Sequence, residues 1–305
     1  MSHPLRLGIL GAARIAPFAV LKHARRLKSV DVVAVAEEYH PEGHLARFAR
    51  KHRIPTTYRS FDALLRSPDV DAVYLPLPIS MHADWCIRSI DAGKHVLCEK
   101  PLAANAEDAE RVHRAAQATD LIVAEAMHFR YHPLVNRVRD IIRSGEIGHV
   151  ERIDASFSAF WPFTDFRFDY AMGGGGTIDM GCYPIGFIRA VTEEEPTVTS
   201  ARAGLYGRLI DRWMRATMKL PSGGDVNLFV GMRCRNLLSV SMNIRGSAGS
   251  IGILNFIKPE VYHRLKVRSA SGVRRERVPG GSTYRTQLAA FAEAVRTGEP
   301  PVTTV

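Results

Sequence analysis

The run GKHVLCEKPLA, residues 93–103, closes an apolar stretch with Glu99, Lys100 and Pro101. Lys94 to Cys98 read as a buried strand, and the carboxyl ends of parallel strands are where open α/β sheets bind ligands. Charge and a fixed φ angle at such a tip mark a candidate active site. A second constellation lies in GGGGTIDMGCYPI, where Asp179 and Tyr183 stand four residues apart and share one face if the segment is helical. Glycines 173–176 would let that helix begin close to a ligand. Pro184 sits awkwardly there, because proline lacks the amide hydrogen and clashes with the preceding turn. Either the helix kinks near Met180, or its regular part starts later.

A third stretch, LGILGAARIA, puts Gly11 between an apolar run and a helical pattern. In a dinucleotide-binding fold this turn lets backbone amides and a helix start meet the pyrophosphate. From Gly11 the chain reads Ala12, Ala13, Arg14, Ile15 and Ala16, so the glycine fingerprint is weakened, although alanine keeps the backbone approach nearly open. The second apolar run ends at AEEYH. Glu37 or Glu38 there stands where a carboxylate would accept from the adenosine ribose hydroxyls and repel a 2′-phosphate, which favours NAD over NADP. Arg47, His40 and His44 are close enough in sequence to offset that repulsion.

The elements that must position these residues follow an alternating pattern. Strand-like runs at 5–10, 30–36, 71–77, 94–99 and 121–126 are separated by helical patterns up to about 27 and at 41–52, 62–67, 81–91 and 105–118. That alternation predicts βαβ units and a parallel sheet. After a helix at 133–144 the pattern turns to strands, at 149–160, 199–207, 211–220, 225–231, 236–245, 248–257 and 261–268, then a last helix at 283–296. The expected fold is α/β. A Rossmann NAD(P)-binding domain over 1–126 is followed by an α+β substrate and oligomerisation domain over 127–305, built on a large, mainly antiparallel open sheet.

Composition narrows the class. The 305 residues are 46% hydrophobic and 24% charged, an ordinary globular balance. No stretch approaches the ~18 apolar residues a membrane span needs. Arg14 interrupts the apolar N-terminal run, which reads as a strand-to-helix turn rather than a signal peptide, so a cytoplasmic protein is expected. Cys86, Cys98, Cys182 and Cys234 lack the spacing of a zinc site or a disulfide framework. The net charge of +10 is spread along the chain and accompanies no nucleic-acid motif.

Taken together, GILGAARIA, DAVYLPLPISMHADWCIRSIDAGKHVLCEKPLA and GGGGTIDMGCYPI resemble the Gfo/Idh/MocA oxidoreductases, in particular the branch of dimeric dihydrodiol dehydrogenases and D-xylose dehydrogenases. The resemblance implies that Lys100 reaches the substrate hydroxyl and the nicotinamide ribose, with Pro101 following a cis peptide. It implies that Tyr183 replaces a more common histidine as the general acid/base, and that Asp179 orients the substrate hydroxyl or the lysine. An unperturbed tyrosine, with a pKa of about 10, needs a neighbouring cation to work near neutrality. Lys100 and the nicotinamide would supply it. Leu75, Pro76, Pro78, His82 and Glu99 are implied near the cofactor, and His128 and Arg130 in the substrate cleft. Trp161, Arg167 and Tyr170 would complete its wall.

The expected activity is NAD(P)-dependent hydride transfer at a carbinol or carbonyl of a cyclic sugar, polyol or dihydrodiol, by a homo-oligomer formed through the second domain's sheet. A sugar-nucleotide ketoreductase and a non-catalytic dinucleotide sensor are the alternatives. The chain ends at EPPVTTV, where relatives continue with another helix that packs on the nucleotide domain, so the expectation is either a truncated chain or a sheet and cofactor domain stabilised differently.

Overall fold

The computed structural model describes residues 3–234 and 238–305; the start expected at 236 for one strand lies outside them. The chain divides into two compact units, one of Met1–His128 with Tyr284–Val305, the other of Phe129–Thr283. The last stretch thus belongs with the first unit rather than with the second, where the sequence reading placed it.

Six parallel strands build the first unit's sheet: β1 (Leu5–Leu10), β2 (Val30–Ala36), β3 (Thr56–Tyr58), β4 (Ala72–Leu75), β5 (His95–Cys98) and β6 (Val123–Glu125). Their spatial order, β3-β2-β1-β4-β5-β6, is that of a dinucleotide-binding sheet. Helices Glu42–His52, Phe61–Leu65, Ile79–Asp91 and Ala106–Gln117 alternate with the strands. β4 is buried at every position, which is why its sequence is an unbroken apolar run rather than an alternation. Strand β3, only three residues long, carries no pattern and went unseen in the sequence.

Helix Thr283–Thr297, read from the sequence as the last helix, packs within the first unit. Leu288, Phe291, Ala292, Ala294 and Val295 enter the same buried cluster as Leu7, Ile9, Val35 and Leu97. The chain end then runs beside β6: Glu125 N–H donates to Thr303 O at 3.0 Å, and Val305 N–H to Val123 O at 3.1 Å. These bonds cover an edge whose polar groups would otherwise face water.

The second unit holds an eight-stranded sheet of β7 (Val150–Ala159), β8 (Thr197–Tyr206), β9 (Ile210–Lys219), β10 (Asp225–Met232), β11 (Leu238–Gly246), β12 (Ser250–Leu254), β13 (Arg264–Ser269) and β14 (Gly272–Glu276). The order is β14-β13-β12-β11-β7-β10-β9-β8. Among the described residues only the β7–β10 pairing is parallel; the other pairs are antiparallel, and all of them except β7–β11 join strands consecutive in sequence. Helices Pro133–Arg143 and Cys182–Thr192 pack on one another, the latter against β7. His132 caps the first of them, its Nδ1 accepting from Leu134 N–H at 3.1 Å.

Two predictions follow from this packing. Phe291 is fully buried, so Phe291→Ala is expected to cost about 3–5 kcal/mol and lower the Tm. Burial and the neighbouring His263 push the His132 imidazole down to about 4. A folded pKa below the unfolded value means that His132 contributes stability above pH ~6.5, and that this is lost as pH falls towards 4. The loss amounts to roughly 2–3 kcal/mol. Denaturant titrations between those pH values should show a shallower dependence in His132→Asn, which keeps a capping acceptor but does not titrate.

Candidate active site

The glycine turn joins β1 to a helical segment in two parts, Pro17–Leu21 and Lys22–Ala24. Gly11 has φ +109°, which side chains disfavour, and its amide donates to Ala36 O at 2.9 Å. Among the described residues, the following amides of Ala13, Arg14 and Ile15 have no protein acceptor. Successive open amides at the start of a helix suit the pyrophosphate of a dinucleotide. The residues present therefore fit NAD(P), which supplies or accepts a hydride when bound.

Glu37 does something the sequence did not reveal. Its side chain is 3% exposed and accepts from Ala12 N–H at 3.0 Å, Tyr39 N–H at 2.8 Å and His40 N–H at 3.1 Å. Burial alone would raise its pKa, but these amides and the His40 ring outweigh it and hold the carboxyl below its ordinary value. Glu38 is also engaged, its Oε1 accepting from Phe61 N–H at 2.5 Å. Glu37 is committed through both oxygens to the protein itself and Glu38 through one, which removes Glu37 as the carboxylate that would favour NAD over NADP.

At the tips of β4 and β5, Leu75 and Pro76 are buried, and Pro78 precedes the first turn of helix Ile79–Asp91. Glu99 and Lys100 follow β5, and the Lys100–Pro101 peptide is cis. His82 is 1% exposed; its Nδ1 lies 2.7 Å from Pro101 O and its Nε2 2.9 Å from Leu77 O. Both ring nitrogens therefore face protein carbonyls. His128 is buried against Tyr284, ring centroids 4.1 Å apart.

The second unit carries the remaining candidates. Thr177–Gly181 forms a π-helical turn, and the regular helix starts at Cys182, so Pro184 falls in its first turn, where a missing amide is tolerated. Asp179 and Tyr183 are both buried. Asp179 Oδ2 accepts from Arg167 Nε at 2.6 Å, and Arg167 Nη1 donates to Asp165 Oδ1 at 2.9 Å. The same guanidinium lies over the Trp161 ring, 3.9 Å from its centroid. Tyr183 packs among Phe129 and Phe157. Arg130 is partly exposed in the turn His128–Tyr131, and Tyr170 is 60% exposed, apart from the Arg167 cluster's contacts.

The glycine run serves the protein's own loops. A Cβ on Gly174 would meet the Arg167 and Asp169 carbonyls at 2.6 Å, and one on Gly175 would meet Asp211 Oδ1 at 2.7 Å. Asp211 in turn accepts from Thr177 N–H at 2.8 Å and Thr177 Oγ1 at 2.6 Å. Sequence reasoning missed Asp165 and Asp211. Asp165, two residues before an arginine, left a local signal; Asp211, on a distant strand, left none. Among the described residues no cluster could hold a metal ion, and no helix is long and apolar enough to cross a membrane.

A doubly wound parallel sheet with an open-amide glycine turn, followed by a broad mixed sheet, is an architecture that nicotinamide-dependent oxidoreductases use. Residues 5–127 match the oxidoreductase family with an NAD-binding Rossmann fold, and residues 135–252 match the GFO/IDH/MocA C-terminal domain. The chain belongs to the GFO/IDH/MocA family. It is 33% identical to the dTDP-3,4-didehydro-2,6-dideoxy-alpha-D-glucose 3-reductase of Streptomyces violaceoruber, over 96% of this chain and 85% of that one. It is 29% identical to D-xylose 1-dehydrogenase (NADP(+)) 2 of Haloferax volcanii, over 97% and 91%. Among solved structures, a 3-ketoreductase from Actinomadura kijaniata in complex with NADP and TDP-benzene superposes with a TM-score of 0.89, at 29% identity over 98% of this chain and 92% of that one. Other structures of that enzyme carry a tyrosine-to-phenylalanine or a lysine-to-alanine substitution.

Glu37→Ala would leave amides of the glycine turn and of the turn after β2 unpaired, at about 1–3 kcal/mol for each one that stays buried. Thermal unfolding should shift down, and NADH and NADPH affinities should fall by a common factor. A change confined to one cofactor, read by nicotinamide fluorescence, would instead assign Glu37 to the ribose.

Proposed function

We propose that this chain moves a hydride between NADP(H) and a carbinol or keto carbon of a sugar, with Lys100 and Tyr183 handling the proton. The observation that carries the reading is Lys100 at the tip of β5, in the unit that holds the open-amide glycine turn. Tyr183 is the general acid/base: a phenol takes the hydroxyl proton during oxidation or returns it during reduction. A cation stabilises a phenolate, and that is the part proposed for Lys100. Asp179, with Arg167 on its Oδ2, keeps that guanidinium placed over Trp161, so its part is to order the pocket wall formed with Trp161. The tyrosine and lysine variants made of the related ketoreductase support attention to the same residue types.

NADP(H) is favoured because the xylose dehydrogenase relative is named for NADP and the ketoreductase was solved with it. A sugar carried on a nucleoside diphosphate is the second reading, favoured by that ketoreductase's TDP ligand. Self-association is part of the proposal. The second sheet presents a hollow of about 560 Å³ lined by polar and apolar residues alike, among them Arg152, Asp154, Arg215, Asn227, Phe229 and Met242, and another copy of the chain would cover it.

Fluorescence titration with NADH and NADPH, then a panel of aldoses, inositols, dihydrodiols and nucleotide sugars, tests the proposal. Growth or decay of nicotinamide absorbance with one class names the substrate. Tyr183→Phe should lower turnover by about 10²–10⁴-fold and leave NADPH affinity within twofold. Equal losses of both would remove the tyrosine from proton transfer, and cofactor binding without turnover on the whole panel would favour a sensor.

A further inference from the structure

Lys100 does not extend from a free loop. Tyr74, buried at 0% exposure in β4, donates its hydroxyl to Glu99 Oε1 at 2.7 Å. Glu99 Oε2 accepts from the Lys100 amide at 3.2 Å, and Glu99 N–H donates to Leu75 O at 3.1 Å. On the far side, His82 Nδ1 meets Pro101 O at 2.7 Å while its Nε2 meets Leu77 O at 2.9 Å. Leu102 N–H then donates to Glu125 Oε1 on β6 at 3.0 Å.

We infer that Tyr74 and His82 are positioning residues that hold the Glu99–Lys100–Pro101 turn from its two flanks and so set where the Lys100 ammonium stands. The inference rests on the reading of Lys100 as the proton-transfer partner. The chemistry of each contact supports it. Ala72, Val73 and Leu75 make β4 otherwise apolar, and a phenylalanine would fill the Tyr74 site as well. The phenol's one polar atom is spent on Glu99, immediately before the lysine. A neutral imidazole has a single N–H, so it donates to one carbonyl at a time. His82 makes both contacts only as the imidazolium, and either contact fastens one of the two turns at the strand tips. Helix Ile79–Asp91 thus carries a buried polar group whose two neighbours are the carbonyls of the β4 and β5 turns, while its remaining inward positions, such as Ala83, Cys86 and Ile90, are apolar or small. A misplacement of about 1 Å at a reacting group can cost about a hundredfold in rate.

Tyr74→Phe removes one oxygen and is the principal test, with His82→Gln as the second variant. Amide hydrogen exchange of the peptide spanning 98–103, in the full chain without added ligand, should quicken at least threefold in each. Helix Ala106–Gln117 should be unchanged. Turnover of the panel compound that the native chain converts should fall at least tenfold in Tyr74→Phe, with NADPH affinity within twofold. In a Lys100→Ala background, adding Tyr74→Phe should change the residual rate by less than twofold, because the hydroxyl acts through the lysine. Native exchange in that peptide together with native turnover would overturn the inference, as would an equal rate loss with and without Lys100. If Lys100→Ala alone keeps native turnover, the reading of Lys100 fails, and the exchange data still decide whether Tyr74 and His82 hold the turn.

Discussion

Burial of parallel strands on both faces is the constraint on which the first unit depends. A strand such as β4, apolar at every position except Tyr74 and covered throughout, has no side on which to carry exposed polar groups. Polar side chains can therefore stand only where the strand ends or where a buried partner meets them. The open amides after β1, the Glu37 carboxylate after β2, the proline turn after β4 and Glu99–Lys100 after β5 all obey that limit. The sheet order brings β1, β4 and β5 side by side, so the tips that carry these groups are neighbours.

This constraint also explains how much of the molecule was legible in the amino-acid sequence. An apolar run that stops at Gly11 or at Glu99 announces both the strand and its end, and those strand ends were found without coordinates. The same logic fails for β3, where Thr56–Tyr58 is too short to show a period. It fails for helix Thr283–Thr297, whose apolar face says that it packs but not on which unit. Pattern is a local property. The choice of partner is not.

The site residues divide along the same line. The type and spacing of Lys100, Asp179 and Tyr183 were readable, yet the partners of their neighbours were not. Glu37 looked like a ribose ligand because carboxylates after β2 often are; its three amide donors come from Ala12, Tyr39 and His40, and Ala12 is remote in sequence. Glycines 174 and 175 looked like ligand clearance, but the space is taken by Arg167, Asp169 and Asp211. In both cases the residue type was informative and its partner had to come from the fold.

Arg167 shows how such partners change a chemical argument. Read alone, an arginine beside a glycine run suggests an anion site. In the second unit it is enclosed by Asp165 and Asp179, both within 2.9 Å of its guanidinium. Their pull outweighs the burial that opposes its charge, so its pKa is raised. The three side chains together carry one net negative charge when all are ionised. A cluster of that sign does not draw in a phosphate, and its guanidinium is spent on the two carboxylates and the Trp161 ring that it stacks on.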